Sequence, residues 1–254
     1  MELKRLVNIR NVLCFILAFI INIGMFLYAN KDMLKNYHMS YDDLKLQKQK
    51  EQLEYNSTYK ADIQNIVKKA DSLMEHKLFN DREKFAYNNI VKTKNDYVKC
   101  VDITLTTADT TAVSQIMDYS IVWVIALVMS IYIINQLHME RDNGVWYITY
   151  ASAKGRVWLS IVRVSIVMLV TLVVSMCMYC SVVVISIIGY RGVEGLTAPL
   201  QNLSTYRLST IRCNMIEFIL LNYVWSYIAL LAITMIIYML MSVMRDCVNN
   251  FSQN

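Results

Sequence analysis

The sequence lacks the residues on which most soluble enzymes depend. It has no Gly-x-x-x-x-Gly-Lys-Ser/Thr segment, which excludes nucleotide binding through a phosphate loop of that kind. Its three histidines, His38, His76 and His138, stand far apart, and none forms the i, i+4 histidine pair of a zinc protease. No acid, base and nucleophile converge in the pattern. We therefore predict no enzyme activity, no metal and no cofactor for this chain.

Helix-breaking residues are scarce, with one proline and six glycines, whereas hydrophobic residues make up 56% of the chain. A run of about 18 or more apolar residues without charge is typical of a transmembrane helix. Four runs qualify: Asn11 to Asn30, Tyr119 to His138, Val164 to Tyr190 and Phe218 to Met244. Helices are expected because lipid offers no partner for an open sheet edge. The sequence thus predicts an all-α, polytopic membrane protein.

These runs divide the sequence into spans and connections. The predicted segments are a tail and first span (1–30), an outer helical domain (31–117), a second span (118–138), a cytoplasmic segment (139–160), a third span (161–190), an outer loop (191–214), a fourth span (215–244) and a tail (245–254). The first span has the basic start of a signal peptide, but its apolar run is longer than a typical signal core. We therefore expect a retained anchor.

Basic residues near the spans predict the orientation. The side with more of them is expected to be cytoplasmic, so both termini lie inside a cell membrane of bacterial type. That side carries Lys4, Arg5, Arg10, Arg141, Lys154, Arg156, Arg163 and Arg245, and the other carries Arg191, Arg207 and Arg212. The long segment between the first two spans holds equal numbers of basic and acidic residues, so the formal charge of +5 comes from the remaining parts. This distribution suits an anionic inner leaflet better than nucleic acid.

The segment between the first two spans changes to the composition of a helical module. From Asp42 to about Met74 it has no glycine or proline and is rich in helix formers. Its apolar residues recur at a spacing of three and four, at Ile63, Ile66, Val67, Ala70, Leu73 and Met74. Asn80 or Asp81 is a candidate N-cap for a second helix to about Lys99. We expect this helix to direct Phe85, Tyr87, Ile90 and Val91 inward. An extended stretch is expected over Asp102 to Thr107. The prediction is an extracytoplasmic, antiparallel helical hairpin, either a packed module or a ligand-binding one.

A short polar insert separates the second and third spans. The charges of Glu140, Arg141 and Asp142 must lie at the membrane interface or beyond it. Asn143-Gly144 is a turn pair, and a two-turn helix is expected over Val145 to Ala151. Ser152 is placed to cap the following helix. This pattern alone is also typical of an interfacial helix with aromatic anchors.

The order Glu140-Arg141-x-x-Gly144, a short helix, Ser152-x-x-x-Arg156 and a long apolar span resembles the permeases of type-2 ABC exporters. In that family a Glu-x-x-x-Gly element closes the second span, a coupling helix docks on the ATPase subunit, and an Arg-containing turn opens the third span. The segments Pro199 to Leu203 and Leu240 to Arg245 are also similar to the family. The large outer segment resembles the subgroup found in Gram-positive bacteria. Members usually carry six spans, whereas four are visible here, so a missing pair would come from another chain or from a longer product.

The resemblance implies a permease that works with an ABC-type ATPase subunit and a second permease unit, as a homodimer or heterodimer. The ATPase-coupling residues that it implies are Glu140, Gly144, Val145, Trp146, Ile148, Tyr150 and Arg156. A rival interpretation is a non-transporting membrane sensor or scaffold, although no attached signalling domain is present. A membrane enzyme is a third. The substrate class stays open among peptides, lipids, drugs and glycans.

A few polar residues remain as further candidates. Glu217, near Arg212 at the outer start of the fourth span, forms either an interfacial ion pair or an outer gate. Cys100 and Cys213 are both predicted outside, so a disulfide between them stays open, whereas Cys177 and Cys180 are expected to pack within a span. Asn56 and Asn202 begin glycosylation sequons. Asn22, Asn135, Ser175, Ser181 and Asn222 are available to join helices or line a path.

Overall fold

The computed structural model describes residues 8–39, 41–76, 85–139, 153–190 and 193–251. Every regular element within these ranges is helical, apart from an isolated bridge between Pro199 and Asn214. The helices are α1 (Ile9–Ala29), α2 (Lys31–Met39), α3 (Tyr41–Glu75), α4 (Phe85–Cys100), α5 (Thr111–Asp118), α6 (Ile121–Met139), α7 (Ala153–Tyr190) and α8 (Met215–Phe251). Three short 3-10 turns cover Glu194–Thr197, Leu200–Asn202 and Ser204–Tyr206. The all-α prediction is confirmed.

Three described helices are long and apolar enough to cross a membrane. They are Ile9–Ala29 and Ser160–Tyr190, each with a mean hydropathy of 2.5, and Met215–Val243, with 2.1. The predicted second span corresponds to α6, which reaches the same criterion only when it is counted together with α5 across a short break. The membrane class is therefore supported by three helices, or by four if that broken pair is one span.

Two helices extend beyond the predicted spans that they contain. α7 begins at Ala153, the residue after the predicted cap Ser152, and its apolar part begins at Ser160, close to the predicted start of the third span at residue 161. The fourth was expected to end at residue 244, but α8 continues to Phe251. The hydrophobic runs mark only the apolar part of each helix.

The chain forms two compact units, each assembled from separate stretches of sequence. The apolar unit comprises Met1–Lys31, Asp118–Ile185 and Leu221–Asn254. Here α1 packs on α6. Ile134 and Leu137 of α6 are buried against Ile166 and Val167 of α7, and the partly buried side chains packed on this cluster include Met235, Tyr238 and Met241 of α8. Of the three candidate spans, α7 is the most enclosed: 44% of its most apolar window is buried, against 11% for α1 and for α8.

The polar unit comprises Asp32–Met117 and Ser186–Leu220. In it α3 packs on α4, and Lys94 pairs with Asp71 at 2.5 Å. The Cys100 thiol, further along α4, lies close enough to Tyr59, earlier on α3, to affect its pKa. The contact further along α4 is made to the residue earlier on α3, so the two helices are antiparallel. Ile63 and Ala70 of the predicted stripe are buried.

One prediction for this helix pair is wrong. Phe85 was expected to face inward, but its side chain is 79% exposed. It is the first described residue of α4, and an apolar repeat does not show where the packing against the partner helix stops. The predicted caps Asn80 and Asp81 lie outside the described residues. Of the stretch predicted to be extended, Asp102 is in a turn and the rest belongs to an irregular segment over residues 103–110.

Candidate functional sites in the polar unit and along the third span

Most of the predicted ATPase-coupling residues lie outside the described part of the chain. Glu140, Gly144, Val145, Trp146, Ile148 and Tyr150 all fall within residues 140–152. Arg156 belongs to the first turns of α7, but its side chain is not among those described. The flanks are described: α6 ends at Met139, and α7 begins at Ala153. The insert therefore sits directly between two helices.

The helix that follows the insert is uninterrupted. α7 runs for 38 residues, which corresponds to about 57 Å at the usual rise of an α-helix. Its residues through Ile185 belong to the apolar unit, and those from Ser186 onward belong to the polar unit. Within the polar unit, the Ser186 hydroxyl donates to the carbonyl of Ala112 at 2.9 Å, and Tyr190 is buried with Ala112. The last turns of α7 are thus bound to α5.

Four of the five polar residues singled out within the spans join neighbouring helices. The Asn22 amide of α1 donates to the Met178 carbonyl and to the Ser181 hydroxyl of α7, each at 3.2 Å. Asn222 of α8 hydrogen-bonds the Tyr179 hydroxyl of α7. Ser175 and Tyr223 share a hydrogen bond of 3.1 Å between α7 and α8. The fifth residue, Asn135, is exposed. The prediction that such groups join helices is confirmed for Asn22, Ser175, Ser181 and Asn222.

An aromatic cluster that the sequence analysis missed links α6, α7 and α8. Trp123 of α6 lies 5.5 Å from the ring of Tyr179 on α7 and 5.8 Å from that of Tyr223 on α8. Tyr179 and Tyr223 are 5.3 Å apart, and Tyr227 stacks on Tyr223 at 6.3 Å. Rings at these separations attract one another beyond the effect of area burial. The i, i+4 spacing of Tyr223 and Tyr227 was the available sequence signal.

The two residues of the predicted outer gate are not joined by a salt bridge among the described residues. Glu217 instead accepts a hydrogen bond from the backbone N–H of Asn214 at 3.1 Å. Asn214 precedes the first residue of α8, so Glu217 supplies the return half of a capping box. Arg212 is exposed, and its charge lies near Tyr59 and Cys100. Glu217 therefore has a structural role, and its role as a gate stays a prediction.

The predicted outer loop is an ordered part of the polar unit, and Asn202 is its main attachment. The Asn202 side chain, 3% exposed, accepts from the Thr106 N–H at 3.2 Å and donates to the Thr106 carbonyl at 2.7 Å. The neighbouring Gln201 is fully buried and donates to the carbonyls of Ser209 and Ile211. Two adjacent amides thus fasten the segment, one to residues 103–110 and one to the segment itself. A glycan on the engaged Asn202 nitrogen is incompatible with this arrangement.

A second attachment centres on Arg207. Its guanidinium lies 4.4 Å from the centre of the Tyr55 ring, and it donates to Thr58 at 2.6 Å and to Asp62 at 2.5 Å. The Tyr55 hydroxyl donates to the Gln201 carbonyl at 2.8 Å. Burial raises the pKa of Tyr59 to about 12, because an ionised phenol would lose its hydration there. The 193–214 segment is therefore held along the face of α3.

A polar cleft of about 200 Å³ lies between α3 and the start of α5. Lys48 forms a 3.5 Å ion pair with Asp109 and a hydrogen bond to Thr111. Gly195 approaches so closely that a Cβ there would collide with the Asp109 carbonyl oxygen. The lining residues are Lys45, Lys48, Gln49, Glu51, Gln52, Thr107, Ala108, Asp109, Thr110, Thr111, Ser114, Glu194, Leu203 and Ser204.

The cysteines considered for a disulfide are both free thiols. Cys100 is buried, and Cys213 is partly buried. Burial is the main cause that raises the pKa of each thiol. A raised thiol pKa leaves little of the reactive thiolate at neutral pH. Cys177 and Cys180 are also free thiols within α7.

Comparison with known proteins leaves these sites without a template. No protein-family model, no curated protein and no solved structure matches the chain.

Proposed function

We propose that this chain is the membrane-spanning permease component of an ATP-driven exporter, coupled through a short cytoplasmic helix to a separate ATPase subunit. In this proposal it is a multi-pass protein of a cell membrane, with both termini cytoplasmic and the polar unit outside. The partners are an ABC-type ATPase and a second permease unit, because two units are needed to enclose a path.

The observation that best supports the proposal is the continuity of α7. The helix begins at Ala153, immediately after the insert that resembles a coupling helix, and continues without a break to Tyr190. An unbroken helix has no hinge at which an axial displacement could be absorbed. A push on its first turn would therefore be passed along its length.

The contacts of α7 indicate where such a movement would be felt. Asn22 ties α7 to α1, and the Ser175–Tyr223 hydrogen bond ties it to α8. Its final turns belong to the polar unit, where Ser186 and Tyr190 contact Ala112 of α5. In the proposed cycle, closure of the ATPase domains pushes the Gly144–Ala151 helix, and α7 carries the displacement to these contacts.

The test is affinity purification of the full chain from its native membrane in mild detergent. We expect a stoichiometric ATPase of the ABC type to co-purify. Gly144→Pro and Trp146→Ala should abolish its recovery, because they disrupt the docking helix and remove its aromatic anchor. Trp225→Ala is the matched control, since that tryptophan lies on α8 and is 65% exposed. Recovery of the chain without any ATPase, or equal recovery from all three variants, would contradict the proposal.

A second candidate function is favoured by the polar cleft. In it the chain is a non-transporting sensor or scaffold whose polar unit binds a ligand. The same purification separates the two candidates, because a sensor would co-purify with a signalling protein such as a kinase and not with an ATPase.

A further inference from the structure

The segment that precedes α8 carries apolar side chains that the protein itself leaves uncovered. Leu208 is 47% exposed and Ile211 is 48% exposed, and Ile216, in the first turn of α8, is 47% exposed. The backbone between them is fastened, because the buried amide of Gln201 donates to the carbonyls of Ser209 and Ile211. The exposure of these apolar side chains is therefore a property of an ordered segment.

An aromatic contact places this segment level with the start of α8. The ring of Tyr206 lies 4.8 Å from the ring of Phe218, which is in the first turn of the helix. Two residues of extended chain reach about 7 Å at most, so the backbone of Leu208 lies within that distance of the backbone of Tyr206. The bridge between Pro199 and Asn214 holds the neighbouring chain beside the same helix end.

The length of the candidate span puts this level in the interfacial layer of a bilayer. Met215–Val243 has 29 residues, which corresponds to about 43 Å at the usual rise of an α-helix. That length matches a hydrocarbon core together with its headgroup layers, about 40–45 Å in all. The first turn of α8 then lies in the headgroup layer, and so does Tyr206 beside it. Tyrosine is enriched in this layer.

The charged residues around the segment balance one another. Arg207 and Lys99 are each paired with an aspartate. Arg212 and Glu217 are both exposed, and they carry opposite charges on either side of the first residue of α8. Because these charges cancel, the segment gains little from an anionic surface. The burial of its apolar side chains supplies the attraction to a membrane.

We propose that residues 206–212 are a membrane-interface anchor of the polar unit, on the side of the membrane where α8 begins. Leu208 and Ile211 insert next to the upper acyl carbons, and Tyr206 lies among the headgroups. The Tyr97 hydroxyl of α4 donates to the Leu208 carbonyl at 3.1 Å, so the anchor also holds the end of the α3–α4 pair at the membrane surface. The anchor requires neither the insert nor an ATPase, so it is independent of the coupling function proposed above.

The test uses the full chain in phosphatidylcholine nanodiscs that contain a photoreactive phosphatidylcholine, with a diazirine on an acyl carbon close to the headgroup. Lipid adducts are located by peptide mass spectrometry after illumination. Phe85 is the internal control, because it is 79% exposed but begins α4, whose last residue, Cys100, donates to the Ser209 carbonyl at 3.9 Å. The 16 residues of α4 place Phe85 about 22 Å away from Cys100.

We expect at least fivefold more lipid adduct on residues 206–212 than around Phe85, and the reverse order with a water-soluble diazirine. These comparisons need no mutation, so they do not depend on how a variant folds. Lipid adducts on the anchor no more frequent than around Phe85 would overturn the proposal. Protection of the anchor from both probes would show that a protein covers it, which would overturn the proposal as well.

Variants separate the effect of the apolar side chains from the fastening of the segment. The double change Leu208→Ser and Ile211→Ser should lower the lipid adducts on Tyr206 at least threefold, whereas Phe85→Ser should leave them unchanged. Replacing half of the lipid by phosphatidylglycerol should also leave them unchanged, because the charges around the anchor cancel. Unchanged adducts in the double variant, or a severalfold increase with phosphatidylglycerol, would contradict an apolar anchor. None of these outcomes bears on ATPase docking.

Discussion

The paired hydrogen bonds of Asn202 allow a quantitative test of how the polar unit is held together. Asn202→Ala removes the acceptor at 3.2 Å and the donor at 2.7 Å that engage the Thr106 peptide groups. A hydrogen bond of this kind contributes about 0.5–1.5 kcal/mol to stability, and the loss of stability is larger if the remaining partner is buried without another hydrogen bond. Thr106 is exposed, so water reaches its peptide groups after the truncation. We therefore expect a loss of about 1–3 kcal/mol from the two bonds together.

Amide hydrogen exchange at Thr106, measured by mass spectrometry on the full chain in detergent, reports this loss directly. If the segment opens locally, the exchange rate should rise by a factor of roughly 5 to 150 in Asn202→Ala. Asn56→Ala is the control, because Asn56 donates to the same Thr106 carbonyl through a long bond of 3.5 Å. It should change the rate by less than about twofold, as expected of a contact at the geometric limit.

Asn202→Asp adds a distinction between the two bonds. Aspartate keeps the acceptor for the Thr106 N–H but places an oxygen opposite the Thr106 carbonyl, so we expect exchange at least as fast as in the alanine variant. Wild-type exchange in Asn202→Asp would show that the donor half contributes nothing. Exchange in Asn202→Ala no faster than in Asn56→Ala would refute the attachment of the 193–214 segment through Asn202.

Two further predictions concern Tyr59 and Glu217. The pKa of Tyr59 is raised from 10.0 to about 12 in the folded chain, so the stability that its proton confers is complete below pH 10 and is lost as the pH rises towards 12. Thermal unfolding of Tyr59→Phe should show a smaller decline between pH 9 and pH 11.5 than wild type, and little change at pH 7, because the hydroxyl has no hydrogen-bond partner among the described residues. Glu217→Gln retains an oxygen for the Asn214 N–H, so thermal unfolding should be nearly unchanged, whereas Glu217→Ala should cost about 0.5–1.5 kcal/mol. A gate that needs the charge would instead lose transport in Glu217→Gln while the unfolding temperature is retained.

The apolar helices were predictable because each depends on a local property of its own residues. The run Asn11 to Asn30 corresponds to the helix Ile9–Ala29, and the start predicted for the fourth span agrees with Met215. The helix pair α3–α4 was also predictable, since a stretch without glycine or proline favours a long helix. Which side chains are exposed at the ends of the α3–α4 pair was not predictable, as the exposed Phe85 shows.

The attachments of the polar unit could not be predicted in the same way. Asn202 is 96 residues away from Thr106 along the chain, and Arg207 is 145 residues away from Asp62. No local periodicity encodes such pairs, and a single asparagine or arginine in a loop is ordinarily solvated. Only the folded backbone brings these residues together.

The discontinuous make-up of the polar unit has a consequence for biosynthesis. Its helices α3 and α4 are complete by Cys100, but the residues that fasten them, Asn202 and Arg207, emerge from the ribosome about a hundred residues later. During that interval the ribosome also synthesises α6 and the whole of α7. The nascent helix pair is therefore exposed as an unfinished assembly while these helices are made. A chaperone that recognises unfinished helix pairs would bind this protein during that interval, before α8 is synthesised.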